Sequence, residues 1–203
     1  MTTNISREAA RGAASGIFFM TVFGIIWAIT GIIGLQGLGM IIFLIPIILI
    51  GITLFICGIS LNAASRRLTH TTATKEKGQV DKWFGIISAL EFILIGAAGA
   101  ISGATGHFDW FCPVTALIVG IHFFPLAYLF QVKTHYITGL LLCLLSIITM
   151  LFVPVTITLG NQEIIAWWSI VGFGSALILW VSSAIIWFST RKLLKHPPIG
   201  RAV

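Results

Sequence analysis

The sequence predicts an all-α protein: a polytopic integral membrane bundle of six transmembrane helices with both termini in the cytoplasm. Three observations carry this expectation. Hydrophobic residues make up 58% of the chain and charged residues only 9%, whereas an ordinary soluble domain carries roughly 25% charged residues. Six runs with at most one charge each reach the roughly 20 residues needed to cross a ~30 Å hydrocarbon core. When those runs alternate in direction, all 12 Lys and Arg residues fall on one side. That asymmetry is how cytoplasmic loops are marked.

The expected spans are 14–35, 38–61, 83–103, 111–130, 136–156 and 164–189. They are too long and too evenly apolar for barrel strands, which alternate. The first follows "MTTNISREAARGAASG" with no small-residue cleavage site, so it reads as its own insertion signal. Pro46 and Pro125 fall inside the second and fourth spans. Membrane helices tolerate such kinks, and a kink is preferred here over a broken helix. Between the spans lie "QG", a long polar loop at 62–82, "ATGHFDW", "QVKTH" and "ITLGNQE"; a basic cytoplasmic tail follows at 190–203. Trp83, Tyr128, Tyr136 and Trp187 fall near the cytoplasmic boundary and Trp110, Trp167 and Trp168 near the outer one, as interfacial aromatics do. The chain reads as one membrane domain over 1–203, with no internal repeat and no room for a soluble domain.

The formal charge of +6 and pI near 9.7 do not indicate nucleic acid. The cations sit between hydrophobic runs, where they set topology and meet anionic headgroups. The expected partner is therefore the lipid bilayer, with its anionic headgroups at the cytoplasmic face. Cys57, Cys112 and Cys143 form no CxxC, and two of them lie within apolar runs, so they read as packing residues. No phosphate-cradling loop, HExxH or GxSxG is present. No catalytic residue, cofactor or metal is expected.

Two ionisable side chains lie deep in spans, Glu91 and His122. Glu91 is eight residues from the start of its span and His122 eight from the end of the next, so both lie roughly 12 Å deep. Consecutive spans joined by a short loop are usually neighbours. A lone carboxylate at mid-bilayer costs about 2.5–3.5 kcal/mol on insertion scales, and pairing avoids that cost. The candidate intramembrane polar site is thus Glu91 and His122, with Ser88 on the stripe of Glu91, Thr115 seven residues before His122 on the same face, and Pro125. Stripes of small residues mark the faces that approach other helices: Ser88, Ile95, Gly99 and Ser102 beside Glu91; Gly139, Cys143, Ser146 and Thr149 on the fifth span; Ser169, Gly172, Ala176 and Ser183 on the sixth. His107 and Asp109 in "HFDW" supply too few ligands for a closed metal site and read as a solvated loop. His70 and His196 read as solvated, and His135 as bordering the headgroups.

"GIHFFPLAYLF" followed by "YITG" resembles a signature of small, uncharacterised bacterial multi-span membrane proteins containing a domain of unknown function. It falls on His122, Phe123, Pro125, Leu126, Ala127, Phe130, Lys133, Tyr136, Thr138 and Gly139. The resemblance implies a bacterial cytoplasmic membrane and brings no activity with it. Two function classes follow from the residues. One is a non-enzymatic membrane protein with a structural, regulatory or partner-binding role, in which the Glu91–His122 pair fastens two helices. The other is a small proton-coupled transporter or permease that uses the same pair.

Overall fold

The computed structural model describes residues 7–67 and 74–195, with the backbone alone at positions 8, 74–77 and 195. His70, His196 and Arg201 lie outside the described residues. Six helices long and apolar enough to span a membrane make up nearly all of the described chain. They are α1 (Arg7–Gly34), α2 (Met40–Ser65), α3 (Thr74–Thr105), α4 (Phe111–Phe130), α5 (Lys133–Phe152) and α6 (Ala166–Lys195). α2 and α4 run unbroken through Pro46 and Pro125.

Three segments differ from the sequence reading. α3 begins at Thr74, so the described part of the expected 62–82 loop is largely helix. α6 continues to Lys195, so the expected tail from 190 begins as helix. Lys, Gln, Glu and Arg are good helix formers, and the backbone ladder continues past the apolar run. The connection before α6 is a β-hairpin, β1 (Thr156–Leu159) paired antiparallel with β2 (Gln162–Ile165). Its strands are β-branched at Thr156, Ile157, Thr158, Ile164 and Ile165, which suits pleated backbone. Its two-residue turn places Gly160 first, at φ 64°, the position that a tight hairpin turn reserves for glycine.

The lateral order of helices is α2, α1, α6, α5, α4, α3, with the two terminal helices side by side at the centre. α1 and α6 run antiparallel with Gly34 beside Ser169, Gly31 beside Gly172 and Phe173, and Gly24 beside Trp180. A Cβ on Gly172 would stand 2.6 Å from the Cα of Gly31, so only glycine permits this approach. The seam carries polar contacts as well: Ser183 donates to the Ile17 carbonyl at 3.4 Å, and Trp180 Nε1 approaches the Thr21 carbonyl at 3.5 Å. The α4–α5 pair meets through Gly120 and Gly139 and through the Ser146 hydroxyl, which donates to the Pro113 carbonyl. Thr138 and Ser182 share a hydrogen bond of 2.7 Å that joins α5 to α6. The stripes of small residues on α5 and α6 face these seams and are buried or nearly so.

α3 stands apart. It leans on α4 and on the 3-10 turn Phe108–Trp110, with Phe84 against Phe130 near one end and Gly99 against Phe111 near the other. The helices alternate in direction, so all described Lys and Arg residues gather at one end of the bundle. At the opposite end, Trp110 packs edge-on against Trp167, Phe108 lies against Trp168, and Gln162 Nε2 donates to the Gln36 carbonyl at 2.6 Å, tying the hairpin to the α1–α2 turn.

Candidate functional site

The α4-facing side of α3 carries Ser88, Glu91, Ile95, Gly99 and Ser102, all half-buried or buried, while Phe92 and Ile93 beside Glu91 are 61% and 67% exposed. Spacing of three and four residues along a helix keeps those five on one stripe. Glu91 therefore turns to α4 rather than to lipid. There its Oε2 lies 3.4 Å from Nδ1 of His122, and the two side chains are only 11% and 6% exposed.

The separation defines the contact. It is an ion-pair distance, longer than the 2.7–2.9 Å of a charge-assisted hydrogen bond, and Nδ1 forms no aligned hydrogen bond. The contact is thus electrostatic and loosely directed. The imidazole also faces the backbone of Ile87, one turn from Glu91 on the same helix. Its ring stands edge-on to Phe123, centroids 6.3 Å apart. The far side of Phe123 meets the ring of His135 at 5.5 Å.

Of the remaining candidate residues, Ser88 shares the Glu91 stripe and is half-buried. Thr115 lies two turns from His122 on α4, and its buried hydroxyl has no hydrogen-bond partner among the described residues. Pro125 is exposed. His135, at the start of α5, is 8% exposed, and its ring meets Phe123 in the α4–α5 seam. The signal for its burial was present, because Thr138, Gly139 and Leu142 follow it at helical spacing and are buried with it. The "HFDW" segment is ordered by aromatic contacts of Phe108 and Trp110; His107 is exposed and Asp109 half-buried. Among the described residues no three His, Cys, Asp or Glu side chains come together as a metal site would need.

The residues that carry the sequence resemblance lie on the α4–α5 hairpin, which supplies His122 to this site. His122, Phe123, Leu126 and Ala127 are buried on α4, and Thr138 and Gly139 on α5. Gln131 ends α4 in the left-handed conformation at φ 54°, and Val132 N–H closes on the Ala127 carbonyl at 3.2 Å. Such a residue is a common way to stop a helix.

The pattern of a family of unknown function, DUF7010, matches residues 3–189, nearly the whole chain. The chain belongs to that family. No curated protein and no solved structure matches it. Membership therefore names no activity.

Proposed function

We propose that this DUF7010 member is a non-enzymatic, multi-pass protein of the bacterial cytoplasmic membrane, with a structural, regulatory or partner-binding role, in which Glu91 and His122 clamp α3 to α4. The observation that carries the reading is the isolation of α3. The most apolar stretch of α3 has no fully buried residue, whereas more than half of the corresponding stretch of α6 is buried. Lipid tails are as apolar as leucine, so apolar surface does not drive helices together within the bilayer; packing and polar contacts do. With packing so thin, a polar contact at mid-helix is the feature that holds α3 in place. The gathering of all described Lys and Arg at one end supports cytoplasmic termini.

A second reading, a small proton-coupled transporter, has its own support. His122 Nδ1, His135 Nδ1 and Thr115 Oγ1 are buried without hydrogen-bond partners among the described residues. Buried polar groups are normally satisfied, and unsatisfied ones at membrane depth are where a proton or solute would be handled.

One experiment separates the readings: unfolding in mild detergent of the wild type, Glu91→Gln, His122→Gln and the double variant, at several pH values. The clamp requires each single change to destabilise and the double to cost less than the sum. The expected coupling is about 0.6 kcal/mol and no more than about 1.7 kcal/mol, as for polar contacts between membrane helices. Strict additivity rejects a direct pair. Single variants as stable as the wild type reject the clamp and turn attention to proton flux in liposomes.

A further inference from the structure

The described Lys and Arg residues are not spread evenly with respect to the helix faces. On α1, Arg11, Ser15, Phe18 and Val22 follow at steps of four, three and four, which places them on one face. On α2, Ile52, Phe55, Ile59, Asn62 and Arg66 follow at steps of three and four in the same way. Those faces adjoin. Ile25 lies beside Gly51 and Phe18 beside Gly58, and the same antiparallel register sets position 11 opposite position 65. Both faces thus end in an arginine at the same end of the bundle.

Between these faces runs an open, almost wholly carbon-lined groove of about 330 Å³, walled by Val22 and Ile25 of α1 and by Ile48, Ile52 and Phe55 of α2. A second groove of about 380 Å³ adjoins it along α1 from Ser15 to Phe23, and the two share Val22. A third cation stands on the other flank of α2. Arg191 of α6 lies 4.8 Å over the ring of Trp187, whose Nε1 donates to Ser60 of α2 at 3.3 Å. Neither Arg11 nor Arg66 has an ion pair among the described residues, where the one pair is Glu91 with His122. Two arginines at the same end of adjoining faces attract an anion, and the two grooves follow one another along α1 from Ser15 to Ile25 as one apolar track for an acyl chain.

From this juxtaposition we infer that the α1–α2 face is a binding site for one anionic phospholipid, its phosphate held by Arg11 and Arg66 and one acyl chain lying along the two grooves. The site lies across the bundle from α3 and does not depend on the role of Glu91 and His122.

The test is native mass spectrometry of the full chain in mild detergent, titrated with phosphatidylglycerol and with phosphatidylcholine of the same acyl composition. The expected result is one phosphatidylglycerol retained in preference to phosphatidylcholine. Retention falls about five-fold for each arginine changed in Arg11→Gln and Arg66→Gln and is kept by Arg11→Lys with Arg66→Lys. Val22→Trp, at a position 46% exposed and shared by both grooves, fills the apolar part without touching charge and also weakens retention. Circular dichroism confirms that each variant is folded, and Ile52→Trp serves as a second filler. Three outcomes overturn the inference. Lys82→Gln with Lys133→Gln, at the same end but across the bundle, weakens retention as much as the arginine changes, which would mean diffuse attraction. Both fillers bind as the wild type does, or glycerol phosphate displaces the lipid completely, which would mean a headgroup site without a chain. The chain dimerises and binds no lipid, which would assign the face to a second copy.

Discussion

The centre of the bundle rests on a backbone contact that a single methyl group would break. In Gly172→Ala the new Cβ would stand 2.6 Å from the Cα of Gly31 and 2.8 Å from the Trp27 carbonyl oxygen, against an ordinary separation of about 3.5–4.0 Å between carbons. Both obstacles are backbone, so no rotamer relieves them, and α1 and α6 must part by about 1 Å. Overpacking of this kind costs about 1–3 kcal/mol. The upper part of that range applies here, because parting the helices also loosens Gly34 from Ser169 and Gly24 from Trp180. The matched control is Gly96→Ala on α3, where a Cβ meets nothing within 4 Å. Replacing a glycine inside an exposed helix gains up to about 1 kcal/mol of helix propensity. The two substitutions add the same atoms and should differ by about 2–4 kcal/mol, read as unfolding midpoints in mixed micelles of mild and denaturing detergent. Gly172→Ala at wild-type stability, or Gly96→Ala the more damaging of the two, would refute the packing account of the fold.

Other expectations can be checked with the same protein. Thr138→Val removes the 2.7 Å bond to Ser182 and should cost about 0.6 kcal/mol, the average for polar contacts between membrane helices, by the same unfolding assay. Trp167→Phe removes the donor that reaches the Val153 carbonyl at 2.8 Å; hydrogen exchange of the Ile157 and Ile164 amides, a hydrogen-bonded pair of the ladder, should quicken by the equivalent of about 1 kcal/mol. In a variant without Cys57, Cys112 and Cys143, Asn161→Cys should react with a membrane-impermeant maleimide in intact cells and Gln79→Cys only after permeabilisation. The reverse pattern would overturn the proposed orientation.

How much of this was legible depended on dimension. Hydropathy is a property of the linear chain, and it was enough to find six helices because a span must be long and uncharged. The faces were nearly as legible: the stripes through Gly139 and Ser146, and through Gly172 and Ala176, are buried. Which stripe meets which was not. Gly31 and Gly172 lie far apart in sequence, and nothing in either stripe names the other. The β-hairpin was hidden for a different reason. Thr156 to Ile165 carries β-branched residues around Gly-Asn, yet so short a stretch between two apolar runs reads simply as the connection "ITLGNQE". Residue counting gives the heights of Glu91 and His122, but their 3.4 Å contact also needs each helix turned the right way about its axis, and counting says nothing of rotation. The burial of His135 follows from its spacing with Thr138 and Gly139, which closeness to a span end does not convey.

Rotation is also what makes the clamp reading testable beyond simple deletion. Gly99 fits the Phe111 ring near one end of α3, while Gly85, Gly96 and Gly103 meet nothing within 4 Å, so shape chooses the face that α3 turns to α4 at few points. A costly polar residue chooses it well: one step along the helix carries a carboxylate from the seam to Phe92, which is 61% exposed. Buried ionic groups are known to set register in some proteins at little gain in stability, and on the clamp reading Glu91 does so here. Moving the acid discriminates between this and simple adhesion. Glu91→Leu with Ser88→Glu keeps a carboxylate on the same stripe, whereas Glu91→Leu with Phe92→Glu puts it toward lipid. The first pair should retain most of the coupling to His122. The second should lose it and carry up to the insertion cost of about 2.5–3.5 kcal/mol, seen as poor membrane insertion and a lower unfolding midpoint. Equal behaviour of the two would mean that the face does not matter, and the register role would be wrong even if Glu91 proved stabilising.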